Sequence, residues 1–432
     1  MNETVFPVGF HQLHLDISMN FQMNRWFSWV GEPAMLDEMR NVAPRITNYV
    51  DWKREFLILA ENAKKEGQVL RAGFYFRAAE FFMRTDDPDR RQARDEFLNA
   101  MRSVYGLDQL GRHEVPYAAD GAKGVLPAYR FTPNRTKGTI VFFGGFDSYI
   151  EELTAAFFFL RDAGYEVIAF EGPGQGGALN DSGLHMTPAW HQPVKAVLDH
   201  FKLDHVTLVG LSMGGCLVMR AAAFEPRVDR VVAYDVYPDA LDTTLHQVNP
   251  VQRGLLEVLL KLRAAPVVNA VARRAARKSP IAQWGIDTGM HVTGASSPYG
   301  YFKSTKAYVT ADVSALIEQD VLLLAGREDH LVPMAHFYRQ IRSLTNARSI
   351  TARLFTTSES AGSHCQVGNY GLAFGTIVNW LDGMQVYAPN TRKPVTVGAT
   401  RESSQESERP ARSAVPQSGP SGAGRRTPAS RH

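Results

Sequence analysis

A short stretch near the middle of the chain, Gly210-Leu-Ser-Met-Gly214, constrains the fold more than any other. An apolar run, Val206 to Val209, leads into it, and a helix-like segment, Cys216 to Phe224, follows it. This is the context that a Gly-x-Ser-x-Gly nucleophile elbow needs, because the turn strains the serine backbone and the glycines let strand and helix approach closely. The pattern predicts that Ser212 is a nucleophile, a hypothesis that the neighbouring elements must support.

The elements around this turn alternate between short strands and helices, which indicates an α/β class. Such alternation favours a mostly parallel sheet with helices on both faces. The active sites of such sheets lie at the carboxyl ends of the strands, where Ser212 is expected. The predicted strands cover residues 114–118, 126–131, 138–143, 167–170, 206–209, 228–234, 321–325 and 349–355.

Helical periodicity precedes the sheet and predicts a separate N-terminal layer. Three segments between residues 50 and 106 carry apolar residues at helical spacing, and Asp87 followed by Pro88 is typical of the start of the third. Residues 1–45 contain several aromatic side chains but show no clean period. We therefore expect a helical N-terminal extension, or cap, at residues 1–110.

The sheet domain is expected at residues 111–385 and contains a predicted insertion. About 85 residues between Asp235 and Val321 are mainly helical by pattern, and an insertion at about 238–312 would cover the strand ends as a lid. From Ala388 onward Pro, Ser, Gly, Arg and Thr dominate. Because such a composition cannot form a core, we expect residues 386–432 to be a disordered tail.

Charge and cysteine content exclude several classes of function. The net charge is +3, but residues 386–432 contribute eight Lys and Arg against three Asp and Glu, so the rest of the chain is close to neutral at −2. We therefore expect no nucleic-acid partner. Cys216 and Cys365 are too few for a disulfide framework and lack zinc-ligand spacing, so they are predicted to be buried apolar side chains. Neither a metal nor a cofactor is expected.

The apolar stretches of the sequence are too short to cross a membrane, and the N-terminus does not follow the pattern of a signal peptide. We therefore expect a cytoplasmic location and no membrane partner. The expected partner is a small-molecule substrate, and a homodimer is compatible with the sequence.

Two later strand ends supply the groups that would activate a serine. Serine is a weak nucleophile unless a histidine, held in one tautomer by a carboxylate, takes its proton. His364 follows the last predicted strand and is the expected base, and Asp329 follows the strand before it and is the expected acid. Glu328 or His330 could replace their neighbour in this role. Asp235, at the end of the strand after the serine, occupies the other place where such sheets can hold the acid.

The adduct that forms when a serine attacks a carbonyl needs hydrogen-bond donors for its oxyanion, and backbone amides can supply them. Met213 directly follows the serine and is expected to provide one N–H. The turn after the strand at 138–143 is expected to provide the other, from Phe146. A second Gly-rich turn, Glu171 to Gly176, lacks both the dinucleotide spacing and a Lys-Ser/Thr ending, so it does not indicate a nucleotide site.

As a set, these motifs resemble the α/β-hydrolases that include dihydroxypseudooxynicotine hydrolase and the fungal polyketide-shortening hydrolases of pigment pathways. The resemblance covers roughly residues 20–385. It implies an α/β-hydrolase fold and, by match of motif, a triad of Ser212, Asp329 and His364, whose chain order is the one expected in this fold. The motifs are Gly144-Gly-Phe-Asp-Ser148 with Glu151-Glu152, Glu171-Gly-Pro-Gly-Gln-Gly176, Gly210-Leu-Ser-Met-Gly-Gly215, Gly326-Arg-Glu-Asp329 and Ser363-His-Cys-Gln366.

Members of that family can hydrolyse a carbon–carbon bond beside a ketone. We therefore expect a serine-triad hydrolase of an acyl or carbon–carbon bond, of the 1,3-diketone type, in an aromatic or polyketide-like small molecule. A carboxylesterase or thioesterase is the alternative, since it needs the same groups and a less demanding leaving group. A non-catalytic binding protein on the same fold is disfavoured, because all three triad positions and the oxyanion glycines occur together.

Overall fold

The computed structural model describes residues 5–387, apart from residues 147 and 247, and a single eight-stranded sheet lies at its centre. The strands are β1 (His113–Ala119), β2 (Ala122–Phe131), β3 (Thr139–Phe143), β4 (Glu166–Phe170), β5 (Val206–Leu211), β6 (Val228–Tyr234), β7 (Asp320–Gly326) and β8 (Ser349–Phe355). Their spatial order is β1-β2-β4-β3-β5-β6-β7-β8. β1 pairs with β2, and β2 with β4, in the antiparallel direction. The other neighbouring pairs, β4 with β3, β3 with β5, β5 with β6, β6 with β7 and β7 with β8, are parallel. The predicted α/β class with a mostly parallel sheet is confirmed.

Among the described residues, six α-helices precede the sheet, including two in the segment where the sequence shows no clean period. They are α1 (Ile17–Val30), α2 (Pro33–Val42), α3 (Tyr49–Lys65), α4 (Val69–Phe81), α5 (Arg90–Tyr105) and α6 (Leu107–Leu110). Ten of the fourteen residues of α1 are buried, so no polar face marks the helix in the sequence. Two of them, Asn20 and Asn24, accept hydrogen bonds from the backbone of the segment before the helix.

The helix expected to begin at Asp87 begins later, at Arg90. The Asp87 carboxylate accepts a hydrogen bond from Lys53 Nζ of α3 at 2.6 Å and another from Asp89 N–H at 3.0 Å. An ion pair with α3 therefore holds Asp87 in the segment before α5, and Asp89 occupies the N-cap position. The end of the same helix is as predicted, because Gly106 caps it in the left-handed conformation, with φ of 62°.

The remaining helices lie between and after the strands. Those that follow β3, β4 and β5 are α7 (Thr154–Asp162), α8 (Gly176–Asn180), α9 (His191–Phe201) and α10 (Gly214–Ala222). Those between β6 and β7 are α11 (Ala240–Leu245), α12 (Pro250–Lys261), α13 (Ala265–Lys278), α14 (Pro280–Thr293) and α15 (Pro298–Thr305). After β7 and β8 come α16 (Met334–Ser343) and α17 (Tyr370–Tyr387). No helix in the described part of the chain combines the length and apolar character needed to cross a membrane.

The helices between β6 and β7 occupy the segment predicted to be a lid, and they contact the N-terminal helices. Trp284 of α14 stacks on Phe81 of α4 with ring centroids 5.0 Å apart, and its indole N–H donates to the Phe81 carbonyl at 2.7 Å. The division into an N-terminal cap, a sheet domain and a lid stays a prediction. The predicted disordered tail lies outside the described residues, except where α17 extends to residue 387.

A series of buried ion pairs joins the N-terminal helices to the segment before α7. Arg77 Nη1 lies 2.6 Å from Glu80 Oε2, and its Nε lies 3.2 Å from Glu152 Oε2. Glu152 also pairs with Arg25 at 2.7 Å, and Glu80 pairs with Arg90 at 3.0 Å. Burial disfavours the Glu80 carboxylate, but the charges of Arg77 and Arg90 outweigh it, so the pKa of Glu80 lies below its usual value.

Replacing Arg77 would leave Glu80 and Glu152 buried with fewer compensating charges. We expect Arg77→Met to lower the free energy of unfolding by about 3–5 kcal/mol, as measured by urea denaturation followed by circular dichroism. Arg91→Met is the matched control, because the Arg91 side chain is 92% exposed. The control should change stability by less than about 0.5 kcal/mol. Equal effects of the two substitutions would show that the buried pairs do not stabilise the fold.

Candidate active site

Ser212 lies in a tight turn between β5 and α10, with a left-handed backbone φ of 58°. Residues with a side chain rarely adopt this conformation, so neighbouring groups must hold it. The Ser212 N–H donates to the Tyr234 carbonyl of β6 at 2.6 Å. A Cβ on Gly215 would collide with the Asp235 carbonyl oxygen, so only glycine lets α10 start this close to the end of β6. The strand, turn and helix predicted around Ser212 are therefore present.

The structure brings together the three residues expected to form a triad. Ser212 Oγ lies 2.8 Å from His364 Nε2, and His364 Nδ1 lies 2.6 Å from Asp329 Oδ2. The other oxygen of Asp329 accepts the backbone N–H groups of Leu331 and Val332, at 2.7 and 3.0 Å. These bonds fix the carboxylate and leave the imidazole aligned between acid and hydroxyl. The catalytic role of the three residues stays a prediction.

The electrostatics of the site favour a basic imidazole. Burial disfavours the imidazolium, but the charge of the Asp329 carboxylate beside the ring raises the pKa of His364 well above its usual value. Burial likewise disfavours the Asp329 carboxylate, yet His364 and the two backbone donors hold the pKa of Asp329 below its usual value. Asp329 is therefore the ionised partner of His364.

The alternative acids lie in different positions around His364. The Asp235 carboxyl, also buried, approaches the same Nδ1 atom to 3.8 Å, which is too long for a hydrogen bond. Burial and the nearby Asp329 charge raise the pKa of Asp235 to about 8. The ring of His330 packs against Phe21 at 4.7 Å, and burial lowers the pKa of His330 to about 4. Among the candidate acids that the sequence offers, and within the described residues, only the Asp329 carboxyl lies within hydrogen-bond distance of His364.

The turn after β3 packs directly against the serine. A Cβ on Gly145 would lie 2.9 Å from Ser212 Cβ and 3.1 Å from the Met213 nitrogen, so glycine permits this contact. The Gly145 N–H already donates to Ser148 Oγ at 2.8 Å. Because that donor is engaged, the next N–H of the turn, that of Phe146, stays the expected partner of Met213 in an oxyanion hole.

Gln175 connects the two glycine-rich turns, a role that sequence reasoning missed. Its buried amide nitrogen donates to the carbonyls of Gly144 and Gly145, at 2.6 and 3.0 Å. Its amide oxygen accepts the Gly172 N–H at 2.9 Å. The Gly-Pro-Gly-Gln-Gly motif thus places a fixed side chain under the turn that contains Phe146. Only the motif itself, with one amide side chain among glycines, could have indicated this role.

Glu171, at the start of that motif, has a structural position. Its carboxyl accepts the backbone N–H groups of Ile150 and Gly177, at 3.1 and 2.5 Å. Burial, followed by the neighbouring Glu151 charge, raises the pKa of Glu171 to about 8. The carboxyl therefore joins the end of this turn to the segment before α7.

A pocket opens beside Ser212 and His364, and helix α1 forms one wall of it. Phe21, Arg25 and Trp29 line this wall. They recur every four residues, a spacing that could have indicated a common helix face, but the aromatic residues between them obscured it. The other lining residues are Ser148, Tyr149, Glu152, Leu153, Leu211, Cys365, Val367 and Tyr370. Phe74 and Tyr75 of α4 lie in the hydrophobic core.

The described residues include one group of carboxylates and imidazoles close enough to hold a metal ion. It consists of Asp235, Asp329 and His364, whose ligand atoms lie within 4.8 Å of one another. The nearest atoms of Asp329 and His364 are hydrogen-bonded to each other. An acid–base pair explains this contact between the two residues.

Comparison with known proteins identifies the family of the fold. A family model described as the alpha/beta hydrolase fold matches residues 142–360. Hydrolyase poxO of Penicillium oxalicum is 27% identical over 397 residues, which cover 81% of this chain and 92% of that protein. Hydrolase acrC of Aspergillus aculeatus is 34% identical over 223 residues, but this match spans 44% of the chain and about half, 51%, of the relative.

A solved structure gives the same fold. The crystal structure of 2,6-dihydroxy-pseudo-oxynicotine hydrolase is 20% identical and has a TM-score of 0.54, covering 83% of this chain and 94% of that chain. The family match, which covers half of the chain, and the name of the relative acrC, a hydrolase, support a hydrolase activity. Since the match covers half of the chain and includes strands β4 to β8 with the turn at Ser212, the chain belongs to the alpha/beta hydrolase family.

Proposed function

We propose that this protein is a serine hydrolase with a triad of Ser212, His364 and Asp329, and that it cleaves an acyl or carbon–carbon bond of the 1,3-diketone type in an aromatic or polyketide-like small molecule. The observation that carries the proposal is the pair of hydrogen bonds through His364, 2.8 Å to the serine and 2.6 Å to the aspartate. This geometry couples removal of the serine proton to stabilisation of the resulting imidazolium.

In the first step, Ser212 Oγ attacks the substrate carbonyl carbon while His364 Nε2 takes the hydroxyl proton. The Asp329 carboxylate, bonded to Nδ1, stabilises the imidazolium that forms. The carbonyl oxygen becomes an oxyanion and accepts the N–H groups of Met213 and Phe146. Each such donor contributes a factor of roughly 10² to 10³ in rate, because it meets charge that develops only in the adduct.

In the second step, the oxyanion re-forms a carbonyl and the bond to the leaving carbon breaks. The electron pair departs on that carbon and is delocalised into the neighbouring ketone as an enolate, and the His364 imidazolium returns the proton. Water, activated by the neutral His364, then hydrolyses the acyl ester on Ser212 and releases a carboxylic acid. An ester or thioester would follow the same steps with a better leaving group.

The lining of the pocket supports an aromatic substrate. Phe21, Trp29, Tyr149 and Tyr370 present ring surfaces beside the serine, and aromatic groups stack favourably on such surfaces. The cavity measures about 50 Å³, whereas pockets for drug-sized ligands usually have about 300–1,000 Å³. Binding of a ring therefore requires these side chains to move apart. The motif resemblance to dihydroxypseudooxynicotine hydrolase supports the carbon–carbon bond as the target.

Substitution of Ser212 tests whether this serine carries the reaction, and two probe substrates distinguish the candidate reactions. We expect Ser212→Ala to lower the turnover of an aromatic 1,3-diketone by about 10⁴-fold or more, with both products identified by mass. Ser343→Ala, on α16, is the control and should turn over normally. Cleavage of a p-nitrophenyl acyl ester but not of the diketone would favour the esterase or thioesterase. Equal turnover by Ser212→Ala and the wild type would rule out the triad.

The raised pKa of His364 predicts a pH dependence. Only neutral His364 can accept the serine proton, so the rate at which a fluorophosphonate labels Ser212 should increase with pH. Because the Asp329 charge raises the pKa of His364, the midpoint should lie above 6.5, the ordinary value. His336→Asn is a matched control, since His336 is also buried and bonded to a carboxylate, that of Asp242 at 2.7 Å. A labelling rate that falls as pH rises would contradict the assignment of His364 as the base.

The contacts of Gln175 predict a defect in catalysis. Gln175→Leu removes both donors to the turn at Gly144 and Gly145, so the Phe146 N–H loses its fixed direction. We expect kcat for the ester probe to fall by about 10- to 100-fold with a smaller change in KM. Gln340→Leu is the matched control, because Gln340 is equally buried and hydrogen-bonded to Thr310. Similar kcat values for the two variants would show that Gln175 only stabilises the fold.

A further inference from the structure

Asp235 brings a second buried carboxyl to the imidazole of His364. Its Oδ2 lies 3.8 Å from His364 Nδ1, the atom that lies 2.6 Å from Asp329. We propose that Asp235 is a reserve positioning carboxyl, which orients His364 through the backbone and accepts a hydrogen bond from its Nδ1–H when Asp329 is lost. This inference rests on the proposed triad and adds a fourth residue to it.

The neighbouring strands explain why two carboxyls reach one ring. β6 and β7 are parallel and pair Tyr234 with Leu324, so Asp235 and Asp329 emerge at the same edge of the sheet. The distance from Asp235 to Nδ1 exceeds a normal hydrogen bond by about 1 Å. A small tilt of the ring or of the carboxyl is enough to close this gap once the shorter bond to Asp329 is removed.

Asp235 also holds the backbone that follows His364. Its Oδ2 accepts the Cys365 N–H at 3.2 Å, and its Oδ1 accepts the Val236 N–H at 2.9 Å. Cys365 and Gln366 both have a left-handed backbone, with φ of 50° and 53°. Such a turn needs support from outside itself. The same carboxyl therefore fixes the turn that carries the base and faces the ring of the base.

The charges around Asp235 determine when it can act. Asp329 faces it from the loop after β7, and His364 and Cys365 face it from the turn before α17. Tyr234 precedes it on β6. Burial, followed by the Asp329 charge, raises the pKa of Asp235, and His364 opposes this rise. Loss of the Asp329 charge therefore favours an ionised Asp235 beside His364.

A four-variant cycle tests the proposal with the p-nitrophenyl ester as the probe. The proteins are the wild type, Asp235→Asn, Asp329→Asn and the double variant. We expect Asp235→Asn to lower kcat by up to about tenfold, and Asp329→Asn by about 10- to 100-fold. The double variant should fall by about 10⁴-fold, the loss typical when no carboxylate orients the histidine. If Asp329→Asn and the double variant have equal kcat, the proposal is wrong.

The pH profile distinguishes an interaction with the ring from support of the fold. In the Asp329→Asn background, replacing Asp235 should lower the midpoint of the acid limb of kcat/KM by about one pH unit, because the remaining carboxylate near Nδ1 is removed. A purely structural role would lower activity without moving this midpoint. An unchanged midpoint would therefore overturn the proposal even if activity fell.

Two further measurements distinguish a failure of this proposal from a failure of folding and from a failure of the triad. Near-ultraviolet circular dichroism reports whether each variant is folded. If the double variant does not fold, Asp329→Asn is compared with His364→Ala, and equal kcat values would overturn the proposal. Ser212→Ala in the wild-type background tests the triad itself. Loss of activity there, together with equal kcat for Asp329→Asn and the double variant, would reject only the reserve role of Asp235.

Discussion

The left-handed turn at Ser212 is the constraint on which the rest of the site depends. Its N–H is bonded to the end of β6, and its side chain lies against Gly145 of the turn after β3. Because three backbone segments meet here with no room for a Cβ on Gly145 or Gly215, the nucleophile and the expected oxyanion donors have fixed relative positions. The energy stored in the strained turn is offset by the packing and hydrogen bonds around it.

The N-terminal helices complete the pocket and share its charged residues. Arg25 and Glu152 line the pocket, and Glu152 is also bonded to the buried Arg77, so the series of ion pairs that joins the N-terminal helices to the segment before α7 ends beside the nucleophile. Because these charges are largely removed from water, a shift in one guanidinium would leave a buried carboxylate uncompensated. The packing of the N-terminal helices and the shape of the pocket are therefore determined by the same interactions.

The sequence predicted the sheet well because its strands are buried and bounded by turns, and β8 matches its predicted limits. It placed Ser212, Asp329 and His364 in the segments that follow β5, β7 and β8, where the structure also has them. It missed α1 because a helix buried on nearly all sides shows no amphipathic period, and it misplaced the start of α5 because Asp87 pairs with a distant lysine. Such long-range contacts leave no local pattern.

The sequence alone could not decide whether Asp235 or Asp329 is the acid, because it does not give the distance of each carboxyl from His364. Both follow buried strands, so spacing alone cannot separate them. In the structure each carboxyl accepts two backbone N–H groups, but only Asp329 also reaches Nδ1 of His364. One imidazolium can compensate only one of two neighbouring buried carboxylates, so the closer residue is ionised and the other tends to keep its proton. A difference of about 1 Å, set by the loops after β6 and β7, thus decides which aspartate is paired with the base.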